Sequence, residues 1–435
     1  VKILMVTNVY TPQIGGVTRS VQQFSEEYRA QGHEVLVIAP EYETMPEGET
    51  GVLRIPAIPK FYLNVYPLPL PLTPAVLPEV RKFGPQIVHV HHPFLLGSTG
   101  QLIAADLNVP LVYTHHTRYS YYIETKTNWP RPIEEGIVEL ITGFCELCDG
   151  VVSPSAGITE MLQSRGVTTR IEVIPTGVDV NRFAKADGSA LRKRLQLPDD
   201  AFIVGHVGRL GPEKNCDFLC EAVREFLNKN SKAIFVVVGD GPERAALEQS
   251  FGDELGGRVH FLGFCEGDDL INAYAGFDVF AFASHSETQG MVLGEAMAAG
   301  TPVVAVKGTG VIDIVHDGQN GRMIPEDDVS AFVAALESMA AASPQQRQAW
   351  REAALKTAHE FSQERCAKKM LDFYADLIRH PRPRVTSDWE RLQRNWDAGW
   401  QRWRNRANAI AAAVQESLRT TPSDETETAP ATPGV

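Results

Sequence analysis

The sequence predicts an α/β protein of two domains, each a parallel sheet covered by helices. Three observations carry this. Apolar strand-like runs alternate with amphipathic helical segments from the start of the chain. A polar stretch at residues 185–200 interrupts the alternation, which then begins again. At 435 residues the chain is long enough to bury two separate cores.

In the first half, residues 2–7 read as an apolar strand and residues 17–30 as an amphipathic helix closed by Gln31 and Gly32. Residues 35–39, 87–91, 111–114, 150–153 and 171–174 read as further strands. Residues 56–78 break the pattern: Pro56, Pro59, Pro67, Pro69, Pro71, Pro74 and Pro78 lie among Phe61, Tyr62, Tyr66 and several leucines. Proline at that density argues against a regular helix or a central strand, so a long apolar surface loop is expected.

The polar stretch at 185–200 reads as the linker. The second half has strands at 202–207, 233–238, 259–261, 279–283 and 302–306. Its helices fall at 215–228, 242–251, 268–275, around Leu293 and from Asp328 onward. Residues 362–377 form one more amphipathic helix.

Composition bounds the function. With 43% hydrophobic and 22% charged residues the chain is globular in character. Its longest apolar run is far short of the ~20 residues a spanning helix needs, and residues 2–7 read as a strand and not as a signal peptide. The cytoplasm is the expected compartment. A net charge of −13 argues against nucleic acid as a partner, because phosphate contacts need a basic face. Of six cysteines only Cys145 and Cys148 are closely spaced; without a second pair they read as packing and not as a zinc site.

Four motifs carry the chemistry. The first is Glu287-Thr-Gln-Gly-Met-Val-Leu-Gly-Glu295. Here a strand ends in a polar loop and a helix starts near Gly290, so unpaired N–H groups at Gly290, Met291 and Val292 can face a phosphate. Glu287 and Gln289 sit on the loop beside it. Glu295 lies within the helix among Met291, Val292, Ala296, Met297 and Ala299. A carboxylate in such company needs a partner to offset its desolvation.

The second motif, Gly208-Arg-Leu-Gly-Pro-Glu-Lys-Asn215, places Arg209 and Lys214 at the C-terminal end of a strand. A planar cation and a point cation there suit a diphosphate. Third, Gly15 and Gly16 stand between the first strand and the first helix. Paired glycines permit positive φ and close approach of a ligand to the backbone. The dinucleotide pattern G-x-G-x-x-G does not occur there, so a nicotinamide site is not supported. The fourth is Val112-Tyr-Thr-His-His-Thr-Arg-Tyr119, in which His115 and His116 end a strand. His89, His91 and His92 invite a metal reading, but no carboxylate cluster and no Asp-x-Asp motif accompany them, and no metal is expected.

Together these segments resemble the retaining glycosyltransferases of family 4, which have the GT-B fold of two Rossmann-like domains facing across a cleft. The resemblance covers roughly residues 2–378. It implies residues 1–184 as the acceptor-side domain and 185–380 as the nucleotide-sugar domain, with the helix at about 362–378 able to cross back. It implies that Arg209 and Lys214 neutralise a leaving diphosphate, that Glu295 binds ribose hydroxyls and that Glu287 binds sugar hydroxyls. Gly16 would face the diphosphate. His116, which fits the family's His-Thr better than His115, would hydrogen-bond around the sugar and stabilise charge there. A front-face mechanism with retained configuration follows from the same resemblance. The co-substrate would be a nucleotide diphosphate sugar, UDP-glucose first, with no cofactor.

Thr114, His116, Thr117, Tyr119 and Tyr122 are similar to the subset that glycosylates diacylglycerol-type lipids, although Ser120 and Tyr121 stand where that subset has acidic residues. A membrane lipid is therefore the first expected acceptor, and an extracellular or cell-envelope glycan the alternative. A sugar-nucleotide epimerase or a binding module on the same fold is the second alternative. Residues 381–419 form a Trp/Arg-rich tail. Trp389, Leu392, Trp396, Trp400, Trp403, Ile410 and Val414 recur near helical spacing, with seven arginines against three acids between Pro381 and Arg406. Residues 389–414 read equally as a helix on an anionic membrane surface, at the inner face, or as one packed on protein. Residues 420–435 read as disordered.

Overall fold

A computed structural model describes residues 1–380 apart from 14, 63–65, 71–72, 120–130, 253–254, 256 and 286. The Trp/Arg tail, with 420–435, and Ser120 to Tyr122 lie outside the described residues. Two all-parallel sheets organise the chain. The first contains β1 (Lys2–Val6), β2 (Glu34–Pro40), β3 (Val52–Ile55), β6 (Ile87–Val90), β7 (Leu111–Thr114), β8 (Gly150–Ser153) and β9 (Ile171–Val173) in the order β3-β2-β1-β6-β7-β8-β9. The second contains β10 (Phe202–Val207), β11 (Ala233–Val238), β12 (Val259–Gly263), β13 (Val279–Phe282), β14 (Val303–Val306) and β15 (Gly321–Ile324) in the order β12-β11-β10-β13-β14-β15.

The strands are apolar on both sides because helices cover both faces. Successive residues alternate between them. Leu4 and Val6 pack with Val88, Val90 and Tyr113 on one face of the first sheet. Ile3 and Met5 pack on the other face with Val21, Phe24 and Tyr28 of the helix Gly16–Ala30. In the second sheet Val236, Val238, Phe280 and Phe282 face one core, and Phe235, Val237, Val279 and Ala281 the other.

The last described helix, Gln363–Arg379, belongs by contact to the first half. Cys366, Met370, Phe373 and Tyr374 join the face that holds Ile3 and Met5. Phe373 lies so close to Gly150 that a Cβ there would come within 2.4 Å of its ring. The Tyr374 hydroxyl is 2.5 Å from His89 Nδ1.

Three expectations are corrected. Residues 56–78 are not one surface loop. An antiparallel hairpin forms from β4 (Ala57–Tyr62) and β5 (Tyr66–Pro69), and the helix Thr73–Phe83 follows with Pro78 inside it. Proline excluded a central strand, and the hairpin is indeed separate from both sheets. Pro74 stands in the first turn of that helix, where a missing N–H forfeits nothing, and Pro78 in the second turn gives up one bond. Secondly, the stretch 185–200 contains the helix Gly188–Leu195. Asp187 caps it by accepting from Ser189 N, Leu191 buries one face, and Arg192 reaches Asp278 and the Ala201 carbonyl. Its charged composition hid an apolar face made by buried Leu191 and half-buried Leu195. Thirdly, Gly15 is extended (φ 178) and Gly16 is helical, so neither uses positive φ.

His89, His115 and His206 lie in these cores, and burial lowers their pKa values to about 3, 3 and 4. Their folded values are depressed below the unfolded value, so as pH falls below about 6.5 the unfolded chain takes up protons that the native state refuses. Stability should fall with pH through that window, by roughly 2 kcal/mol per histidine at pH 5 as an upper bound. Urea denaturation at pH 7.5, 6 and 5 checks this. A midpoint that does not move would show these rings to be protonated or solvated in the folded state.

Candidate active site

Open parallel sheets bind ligands beyond the C-terminal ends of their strands, where the strand order changes direction. That change falls between β1 and β6 in the first sheet and between β10 and β13 in the second. Gly16 follows β1, His91 and His92 follow β6, Arg209 and Lys214 follow β10, and Glu287 follows β13. His116 follows the neighbouring β7.

The two halves touch at these ends. Arg118 Nη1 donates to the His285 carbonyl at 2.8 Å, and Thr288 Oγ1 donates to the His116 carbonyl at 3.0 Å. Gln289 Oε1 accepts from Thr176 N at 2.8 Å, and Asp313 Oδ2 accepts from Ala156 N at 2.6 Å. A pocket between them is lined by Pro154 and Gly177 on one side and by Gln289, Gly290, Met291, Gly294 and Asp313 on the other.

Glu295 sits in the helix Met291–Ala298 and is only 9% exposed. The helix can start where it does because Gly290 has φ +70; a Cβ there would lie 2.9 Å from Leu293 Cδ1 and 3.0 Å from the Gly310 carbonyl. The carboxylate finds the partners that its surroundings demand. Tyr274 donates its hydroxyl to Oε2 at 2.7 Å, and Arg19 Nη1 reaches Oε1 at 3.5 Å from the helix Gly16–Ala30. Burial raises the Glu295 pKa, and Arg19 and the Tyr274 hydroxyl oppose that rise. Met291 and Val292 are half-buried, and Val292 packs against the core.

Lys214 and Glu287 form an ion pair with each other, both largely shielded from solvent. Arg209 is exposed and lies 3.7 Å from Glu213, whose carboxylate is buried. Across the cleft, a Cβ built on Gly15 or Gly16 would meet nothing within 4 Å. The glycines thus leave the backbone open to approach, the second of the two uses that paired glycines allow. Arg54 fixes that loop by donating to the Thr11 and Pro40 carbonyls at 2.9 and 2.7 Å.

The two adjacent histidines separate. His115 is fully buried, with Nδ1 3.2 Å from the Tyr113 hydroxyl. His116 is half-buried, with Nε2 2.9 Å from His91 Nδ1. Burial, and after it the neighbouring histidines, hold the His116 pKa well below the ordinary range. Burial thus favours the neutral ring, whose N–H can still hydrogen-bond to a ligand.

Arg19, Tyr274, Glu213 and Thr288 were given no role from the sequence, and His91 was weighed only as a metal ligand. Only the apolar neighbours of Glu295 signalled that a partner was needed. Among the described residues no group of three or more His, Cys, Asp or Glu side chains is placed to hold a metal ion, and no helix is long and apolar enough to cross a membrane.

Two family profiles match the chain: "Glycosyltransferase Family 4" over residues 14–182 and "Glycosyl transferases group 1" over residues 187–357. The chain is 29% identical over 387 residues to the alpha-monoglucosyldiacylglycerol synthase of Streptococcus pneumoniae, which covers 87% of this chain and 86% of that protein. It is 32% identical over 340 residues to the GDP-mannose-dependent alpha-mannosyltransferase of Mycobacterium tuberculosis, over 75% of this chain and 84% of that protein. Among solved structures, that of Anabaena HepE in complex with UDP-glucose is similar in fold. Its TM-score is 0.68 at 21% identity, over 86% of this chain and all of that one. The two parallel sheets are those of the GT-B fold.

The Tyr274 bond to Glu295 is testable by one atom. Tyr274→Phe should destabilise the protein by about 1.5–3 kcal/mol, the range for a hydrogen bond to a buried charge. A urea midpoint unchanged at pH 7.5 would show that Glu295 does not depend on that hydroxyl.

Proposed function

We propose that this chain, which belongs to glycosyltransferase family 4, moves a hexose from its nucleotide diphosphate sugar to a hydroxyl of a cell-envelope or extracellular glycan. It is a retaining GT-B hexosyltransferase; the acceptor and the roles of single residues are the proposal. One observation carries the site assignment: Lys214 and Glu287 meet at the end of the second sheet, beside the helix that holds Glu295.

On this reading the donor diphosphate replaces the Glu287 carboxylate as the partner of Lys214 and draws in the exposed Arg209. Helix N–H groups at Gly290, Met291 and Val292 support it, with Gln289 beside them and Gly16 facing it. Glu287, freed from Lys214, accepts from sugar hydroxyls. Glu295 accepts from the ribose and exchanges its long contact to Arg19 for it. His116 hydrogen-bonds to the sugar from the opposite sheet. The bond from the anomeric carbon to the phosphate oxygen breaks, and the acceptor oxygen bonds on the same face. The acceptor proton passes to the leaving phosphate.

The donor base is open between two chemistries, since one relative is named for glucosyl transfer and another for GDP-mannose. UDP-glucose is the first choice. A second acceptor, a membrane lipid such as diacylglycerol, is favoured by the similarity to a synthase named for that lipid. It stands second because the mannosyltransferase, whose name specifies no lipid, is at least as similar in identity. In addition, the proline-rich segment is a hairpin and a helix, not an apolar loop.

A screen of UDP-glucose and GDP-mannose against envelope glycan fragments and dispersed diacylglycerol, read by mass spectrometry, tests the proposal. A hexosylated glycan is expected. Hexosyl-diacylglycerol as the sole product would replace the first acceptor by the second. Glu295→Ala should weaken nucleotide binding, while Glu287→Ala should leave binding and cut turnover by roughly a hundredfold. Unchanged kinetics in both would sink the site assignment.

A further inference from the structure

Five histidines, His89, His91, His92, His115 and His116, gather at the ends of β6 and β7, and the proposed chemistry uses one of them. Two of the others, His89 and His92, have bonds that explain their presence, and a third, His115, has one. His89 has both ring nitrogens engaged, Nδ1 with the Tyr374 hydroxyl and Nε2 with Thr114 Oγ1. His92 Nδ1 accepts from Asn8 N at 3.1 Å. His115 Nδ1 meets the Tyr113 hydroxyl, while its Nε2 is buried with no hydrogen-bond partner among the described residues, and the ring has no bond to His116. His91 differs. Its ring lies against those of His89 and His116, with centroids 4.3 and 5.2 Å away. Its Nδ1 is 2.9 Å from His116 Nε2. Its Nε2 is buried with no hydrogen-bond partner among the described residues.

A single proton occupies the bond between the two rings, and two neutral arrangements can place it. If it sits on His116 Nε2, then His91 must carry its own proton on Nε2, a buried N–H with no acceptor. If it sits on His91 Nδ1, then His91 Nε2 is a bare nitrogen and His116 carries its proton on Nδ1. A stranded donor proton is the costlier defect, so the second arrangement is favoured. Burial keeps both rings neutral, which excludes a doubly protonated partner.

We infer that His91 is a positioning residue: it donates Nδ1–H to His116 Nε2 and fixes His116 as the tautomer that offers Nδ1–H to the sugar or its leaving group. The inference rests on the reading that His116 touches the donor. The pair is held from two sides. Thr288 Oγ1 pins the His116 backbone, and the His91 ring is backed by that of His89, whose own two nitrogens are held by Tyr374 and Thr114. The tautomer matters because sugar and phosphate oxygens accept hydrogen bonds. A bare Nδ1 would oppose them, lone pair against lone pair.

The test uses the full chain labelled with 15N-histidine, and assigns His116 by the signal lost in His116→Ala. Long-range 1H–15N spectra should show His116 protonated at Nδ1 in the wild type and in His91→Asn, whose amide N–H stands where Nδ1–H stood. His91→Leu should show mixed tautomers. Turnover is followed as UDP or GDP released from UDP-glucose or GDP-mannose. His91→Leu should lower kcat by about tenfold to a hundredfold, the size of effect that outer partners of metal-ligating histidines have, with the donor KM little changed. His91→Asn should recover most of that loss. His116 protonated at Nε2 in the wild type would overturn the inference, and so would equal turnover in His91→Leu and His91→Asn. If instead His116→Ala turns donor over at the wild-type rate, the reading of His116 fails, and the spectra alone judge the bond to His91.

Discussion

The buried carboxylate of Glu295 is the constraint around which the two halves are arranged. Its helix packs into the second core, so the charge cannot be surrendered to water by a small shift of the side chain. Tyr274, itself fully buried, supplies one hydrogen bond from within the same half. The remaining oxygen is met by Arg19, whose helix belongs to the first sheet. An isolated buried carboxylate would be costly, and a single neutral hydroxyl compensates it only in part. The site therefore depends on the second sheet standing close enough to the first for that arginine to reach. Thr288, Gln289 and Asp313 make the same approach from neighbouring loops.

The first half answers with a different device. Its cleft edge is lined by imidazoles that burial holds neutral, and their order is imposed from behind by the helix Gln363–Arg379. Tyr374 bonds to His89 and lies 3.4 Å from the Tyr28 hydroxyl. The end of the described chain thus fixes the ring stack on which His116 rests. A change far from the cleft, at Tyr28 or Tyr374, has a direct path to the candidate site through three packed rings.

Much of this was legible in the sequence, and the exceptions have a common cause. Central strands buried on both faces read as unbroken apolar runs, so β10 and β11 were placed to the residue. The loop-helix junction at Gly290 was legible because glycine, the polar loop and the following apolar turn all agree. What stayed hidden depends on distant positions. Glu295 showed that it needed a partner, but Tyr274 lies 21 positions away and Arg19 276 positions away. No local pattern links them. The helix Gly188–Leu195 was read as linker because two leucines and one arginine, bonded to Asp278, hold an otherwise charged segment. The hairpin at 57–69 was read as a loop because proline weighs against strands in general, whereas it excludes only central ones.

Charge balance links the site as it stands to its proposed work. Each candidate cation is close to an acid: Lys214 to Glu287, Arg209 to Glu213, and Arg19 to Glu295. A site so balanced can be partly shielded without the penalty of unpaired buried charge. The Lys214 pair is the informative one, because the proposed function gives both of its members a place on the donor, the cation at phosphate and the acid at sugar hydroxyls. A free phosphate would take Lys214 and leave Glu287 unpaired in a shielded loop. A sugar joined to a diphosphate satisfies both. The pairing therefore favours the intact donor over its separated parts, a selectivity that needs no additional residue.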